Sequence, residues 1–85
     1  MYQLVYKKAA LKGILKMPTV TKKKMLEAFS TLSENPDRQD LDVKQLKGRD
    51  GFRLRVGQWR AIFHRDNDKL ILLVVDAGPR GDIYK

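Results

Sequence analysis

The residues that most constrain this chain are Phe52-Arg53-Leu54-Arg55-Val56-Gly57-Gln58-Trp59-Arg60, where apolar and basic side chains alternate around a glycine-containing dipeptide. In an extended strand, successive side chains leave opposite faces. Phe52, Leu54 and Val56 therefore share one face, and Arg53 and Arg55 share the other. With Gly57-Gln58 as a two-residue hairpin loop, Val56 pairs with Trp59 and Arg55 lies opposite Arg60. Like charges directly opposite in a sheet are destabilising. Such a hairpin offers one face to a core, and its other face gains from a bound polyanion.

The remaining segments follow from periodicity and breakers. Tyr2, Leu4 and Tyr6 alternate with Gln3, Val5 and Lys7 and predict a first strand. From Lys8 the period becomes helical: Leu11, Ile14 and Leu15 form the expected buried stripe, opposite Lys8, Lys12 and Lys16. Met17-Pro18 ends that helix, and Gly13 weakens it by up to ~1 kcal/mol relative to alanine. Thr19 or Thr21 can cap a second helix whose buried stripe is Met25, Ala28, Phe29 and Leu32. Lys22-Lys23-Lys24 reads as a solvated face, and Asn35-Pro36 closes the helix. The connection from Asn35 to Val43 carries Asp37, Asp40 and Asp42. Their spacing is not that of a calcium loop, so a solvated loop pinned by Leu41, Val43 and Leu46 is expected.

Beyond the hairpin, Trp59 to Asp66 continues as a strand, and Asp66-Asn67-Asp68 supplies turn chemistry. Leu70 to Val75 is a continuous apolar run, expected as a central strand buried on both faces. Gly78-Pro79 breaks it and leaves a tail, Arg80 to Lys85. The order is β-α-α-β-β-β. It predicts a small α+β fold in one domain spanning residues 1–85, with two N-terminal helices packed on a mainly antiparallel twisted sheet.

Charge narrows the partner. Lys and Arg number 18 against 10 Asp and Glu, a net charge of +8, which fits either a polyanionic partner (nucleic acid, an acidic protein or a membrane surface) or a basic solubilising surface. Cysteine is absent and His64 is the sole histidine. This excludes disulfides, thiolate metal sites and cysteine nucleophiles, and no metal or cofactor is expected. No apolar run approaches the ~20 residues of a spanning helix. The N-terminus lacks the pattern of a signal peptide, so a cytoplasmic chain without a membrane partner is expected.

Arg53, Arg55 and Arg60 should cluster on the face away from the core, where their donor forks suit phosphate. Arg80 follows the Gly-Pro break, and Tyr84 brings a phenol to the same end if the tail folds back. Together they would form a phosphodiester site without metal; otherwise they are solvated arginines on an open sheet face. His64, at even spacing from Arg60, shares its face as either an acid–base group or a structural histidine. Lys47 and Arg49, in a glycine-bounded loop, could steer a polyanion such as nucleic acid or simply be solvated. Asp76 either pairs with an arginine or caps a strand end.

Leu46-Lys47-Gly48, Phe52 to Phe63 and Gly78-Pro79-Arg80-Gly81-Asp82-Ile83-Tyr84 together resemble the RelE/ParE toxins of bacterial toxin–antitoxin modules, over essentially the whole chain. The resemblance implies a toxin held inactive by a cognate antitoxin protein. RelE-like members are endoribonucleases that cut mRNA in the ribosomal A site and inhibit translation; ParE-like members share the fold and poison DNA gyrase. By motif, the RelE-like active site maps onto Arg53, Arg55, Arg60, Arg80 and Tyr84, which favours the ribonuclease. The chain departs from the best-known ribonucleases by carrying Arg53 and Arg55 where they have lysines. Arginine stays protonated in proteins, which leaves Tyr84 to orient or deprotonate the 2′-hydroxyl. The tail is also short, with no helix after Tyr84.

Overall fold

In the computed structural model, which describes residues 1–79, the basic and apolar alternation closes as expected. The elements are β1 (Gln3–Tyr6), α1 (Lys8–Leu15), α2 (Thr19–Glu34), β2 (Val43–Gln45), β3 (Phe52–Val56), β4 (Trp59–Asp66) and β5 (Ile71–Pro79). Val56 pairs with Trp59 and Arg55 with Arg60 across the antiparallel β3–β4 hairpin. Gly57 has φ of 61° in its turn. Positive φ at the first central position matches the right-handed twist of the flanking strands.

The sheet order is β1-β5-β4-β3-β2. β1 runs parallel to β5, and every other pairing is antiparallel. The α+β class and the mainly antiparallel sheet agree with expectation. The sheet has one more short strand, because Val43 to Gln45 pairs with β3 instead of remaining a connection. Val43 points toward the core side and Lys44 away from it, an alternation too short to stand out in the sequence.

Both helices cover one face. Their buried residues, Ala10, Ile14, Met25, Ala28, Phe29 and Leu32, and Met17 between them pack with Leu54, Ala61, Phe63, Leu72, Val74 and Ala77 of the sheet. Phe29 meets Tyr6 and Phe63 edge-on, with ring centroids 6.0 and 5.5 Å apart. The α2 stripe is the expected one. Its start differs, since Pro18 occupies the N-cap position and no side chain caps the helix.

The α1 stripe is rotated from the expected one. Ala10, Gly13 and Ile14 face the sheet, while Leu11 and Leu15 are 45% and 68% exposed. The cause is Gly13: a Cβ there would overlap the Ala77 carbonyl oxygen of β5. Only small residues let the helix axis approach this closely, so the leucines move to the flank.

β5 also departs from expectation. Leu72, Val74 and Ala77 are buried under the helices, but Leu73 and Val75 are only half-buried, since neither of the described helices covers the opposite face. A register shift between Ile62 and Phe63 places a bulge in this pairing. Leu70 lies outside the strand with φ of 55°, and its carbonyl accepts from Gln3 N–H at 2.7 Å. The preceding turn is built as expected, with Asp66 Oδ1 accepting from the amides of Asp68 and Lys69.

Two outcomes test this packing. Gly13→Ala should destabilise the protein, although helix propensity alone favours alanine by up to ~1 kcal/mol, because overpacking against backbone typically costs about 1–3 kcal/mol. A lower midpoint at unchanged m-value in urea is the expected readout; a raised midpoint would contradict the close approach. Burial pushes the Tyr6 phenol from 10.0 up to about 12. The folded state then holds this proton more tightly than the unfolded chain, so its contribution is complete below the unfolded pKa and is lost as pH rises through the folded one. Tyr6→Phe should flatten the fall in stability across that alkaline window, measured by denaturation at stepped pH.

Candidate nucleic-acid interface

The sheet face opposite the helices carries Lys44, Arg53, Arg55 and Arg60. Strand register arranges them in two rows: Asp42, Arg55, Arg60 and Gly78, then Lys44, Arg53, Ile62 and Asp76. Asp42 joins the first row through the Arg55 N–H, which donates to the Asp42 carbonyl at 3.0 Å. Arg53 and Arg55 leave β3 on the same side, and Arg60 leaves β4 beside them.

The pairing of Arg55 with Arg60 is offset from within the chain. Arg55 Nε lies 2.8 Å from Asp42 Oδ2, and Arg53 Nη2 donates to Asp42 Oδ1 at 2.7 Å. Besides the bound polyanion from which this face was expected to gain, a carboxylate of the chain itself thus stands beside the like charges. The aspartate connection is the solvated loop expected, with the Asp37 and Asp40 side chains 77% and 59% exposed. Asp37 accepts from Arg65 Nη1 at 2.9 Å and Asp40 from Arg38 Nε at 2.5 Å, so each of its aspartates takes an arginine. The hydrogen bond to Asp37 raises the Arg65 guanidinium above its usual pKa, and the one to Arg38 holds the Asp40 carboxyl below the usual carboxylate range. Arg65 Nε also donates to Asn67 Oδ1 at 2.7 Å, an oxygen that accepts from the Tyr2 hydroxyl at 2.6 Å. The connection is thereby tied to β1 and to the β4–β5 turn.

A concavity of about 250 Å³ opens among Lys44, Gln45, Leu46, Lys47, Arg53 and Arg60. The structure thus brings together three of the expected residues, Arg53, Arg60 and Lys47. Arg53 is largely buried, its side chain 12% exposed, and its Nε–H has no acceptor among the described residues. A buried donor left unmade costs roughly 1–3 kcal/mol, so an incoming anion oxygen has a ready partner there. Arginine forks and lysine ammonium groups in one hollow can bind a phosphodiester and neutralise charge developing on it.

Other candidates lie apart. Arg55 shares the face but does not line the concavity, and Arg49 is exposed in the Lys47 to Asp50 loop. His64 packs against the β2–β3 turn, where a Cβ on Gly51 would come within 3.1 Å of its Cε1. Four residues along a strand separate it from Arg60 by about 13 Å. Asp76 Oδ1 accepts from the following Ala77 N–H at 2.9 Å. Arg80 and Tyr84 lie outside the described residues. Among those residues no group of His, Asp and Glu could hold a metal ion, and no helix is long and apolar enough to cross a membrane.

The sequence reading missed Lys44 and Asp42. Both belong to the unrecognised strand pairing, and the alternation Asp42-Val43-Lys44 was their only signal.

The family described as ParE toxin of type II toxin–antitoxin systems, parDE, matches residues 4–84. No curated protein matches the sequence. Among solved structures, the archaeal RelE–RelB complex from Pyrococcus horikoshii OT3 is similar at 26% identity, over 95% of this chain and 97% of that one, with a TM-score of 0.81. The isolated Escherichia coli RelE toxin shares the fold at 19% identity, over 99% and 92% of the two chains, with a TM-score of 0.77. The YoeB/ParE toxin from Agrobacterium tumefaciens shares it at 13% identity, over 92% and 98%, with a TM-score of 0.76.

Proposed function

Since this chain belongs to the ParE toxin family of type II toxin–antitoxin systems, we propose that it is the toxin of such a module and acts as a metal-independent endoribonuclease on mRNA, in the ribosomal A site. The observation that carries this reading is the concavity of Lys44, Lys47, Arg53 and Arg60 on the uncovered sheet face. Four cations with an unmet Arg53 Nε–H suit a backbone phosphate.

RNA supplies its own nucleophile, the 2′-hydroxyl. In the proposed reaction its oxygen attacks the adjacent phosphorus and the bond from phosphorus to the 5′-oxygen breaks. The products are a 2′,3′-cyclic phosphate and a 5′-hydroxyl. Arg60 and Arg80 clamp the phosphate, and Arg53 neutralises the charge that grows on it. Guanidinium cannot give up a proton in proteins. Tyr84 therefore takes or orients the 2′-hydroxyl proton, and an ammonium of Lys44 or Lys47 can supply one to the departing 5′-oxygen. A nearby cation favours the phenolate form of a tyrosine.

The likeness to the RelE–RelB complex supports a cognate antitoxin as the protein partner, with an acidic or amphipathic segment laid across the basic face. A cytoplasmic site of action follows from this reading. The family match itself favours one second reading, a ParE-like poison of DNA gyrase without nuclease activity.

Brief induction followed by mapping of transcript ends and of trapped DNA breaks separates the two. Cut transcripts are expected, and Arg60→Ala or Lys44→Ala should slow cutting by roughly 100- to 1000-fold while keeping the wild-type melting curve. Intact transcripts with trapped DNA breaks would establish the gyrase reading instead. Undiminished cutting by Arg60→Ala would remove the phosphate clamp from the account.

A further inference from the structure

One carboxylate serves two arginines at the corner of the cationic face, and it serves them differently. Asp42 Oδ1 accepts from Arg53 Nη2 at 2.7 Å, while Oδ2 lies 2.8 Å from Arg55 Nε. Arg53 still lines the concavity and keeps a buried Nε–H without an acceptor among the described residues. Arg55 is 48% exposed, outside the concavity, with its Nε committed to Asp42. The backbone pins this arrangement, because the Arg55 N–H donates to the Asp42 carbonyl at 3.0 Å. Asp42 therefore stays opposite Arg55 whatever its side chain does.

We propose that Asp42 is an internal counter-anion that orients Arg53 toward the ligand and withholds Arg55 from it. A bound nucleic-acid phosphate then meets Arg53 and Arg60, while Arg55 remains with Asp42. The withheld charge has two consequences. Arg55 and Arg60 can stand opposite each other without a ligand, and the open face grips a generic polyanion by one contact fewer than its arginine content allows. This rests on the open face being the RNA-binding side; it does not depend on whether the bound RNA is cut.

The salt dependence of binding counts phosphates directly. Each phosphate neutralised on a single strand contributes about −0.7 to the slope of log K against log salt. The probe is a short single-stranded 2′-fluoro RNA, which has no 2′-hydroxyl nucleophile, followed by fluorescence anisotropy over a salt series with the full chain. Asp42→Asn should steepen the slope by about 0.7 and tighten binding at low salt. Asp42→Glu, which keeps the charge, should stay near the wild-type slope, and adding Arg55→Ala to Asp42→Asn should restore it. An unchanged or shallower slope in a normally melting Asp42→Asn variant would overturn the proposal.

A measurement on the wild-type chain decides the matter even if Asp42→Asn does not fold. Titration with the same RNA should shift the Nε–H NMR signals of Arg53 and Arg60 and leave that of Arg55 in place; an Arg55 shift matching that of Arg60 would overturn it. No RNA binding by the wild-type protein would overturn this inference together with the RNA reading. Normal transcript cutting with an Arg55 shift would overturn this inference alone.

Discussion

The register of the β3–β4 hairpin decides which side of the sheet every arginine occupies. Gly57 at positive φ makes the tight turn that pairs Val56 with Trp59 and Arg55 with Arg60. A slip of β3 by one residue would send Arg53 and Arg55 toward the helices and Leu54 into water, and a slip of β4 would do the same to Arg60 and Ala61. Leu54 and Ala61 are fully buried, so the core enforces the register that exposes the cations. The buried face and the cationic face are thus set by the same alternation.

Asp42 makes that arrangement tolerable in the absence of ligand. Partly exposed ion pairs are individually weak, about 0–1 kcal/mol, yet here one carboxylate is shared by two guanidiniums and held by a backbone hydrogen bond. The neighbouring aspartates follow the same pattern, Asp37 on Arg65 and Asp40 on Arg38. Asp40 thus pairs within the connection between α2 and β2, Asp37 reaches Arg65 of β4, and only Asp42 meets the arginines of β3. Lys44, Lys47, Arg53 and Arg60 stand around the hollow.

Much of this was legible in the sequence, and the misses share a cause. The hairpin register, the α2 stripe and the Asp66 turn follow from local periodicity and turn chemistry, which the sequence states directly. The rotation of α1 does not. Gly13 counts as a helix weakener until the Ala77 carbonyl is seen against it; tertiary approach then outweighs the leucines that periodicity would bury. β2 has three residues, too few for a period, so Lys44 and the role of Asp42 became visible only through pairing. His64 shows the opposite limit: even spacing put it on the face of Arg60, but distance along the strand and packing against Gly51 keep it out of the hollow.

The toxin fold and family stand on the whole-chain matches; the proposed chemistry rests on the cationic sheet face opposite the helices. The most direct measurement of that central claim is a crystal structure of the chain with a short RNA blocked at every 2′-hydroxyl. The account predicts a backbone phosphate seated among Lys44, Lys47, Arg53 and Arg60, with Arg53 Nε–H donating to it. RNA bound instead along the helix-covered side, with this hollow unoccupied, would contradict it.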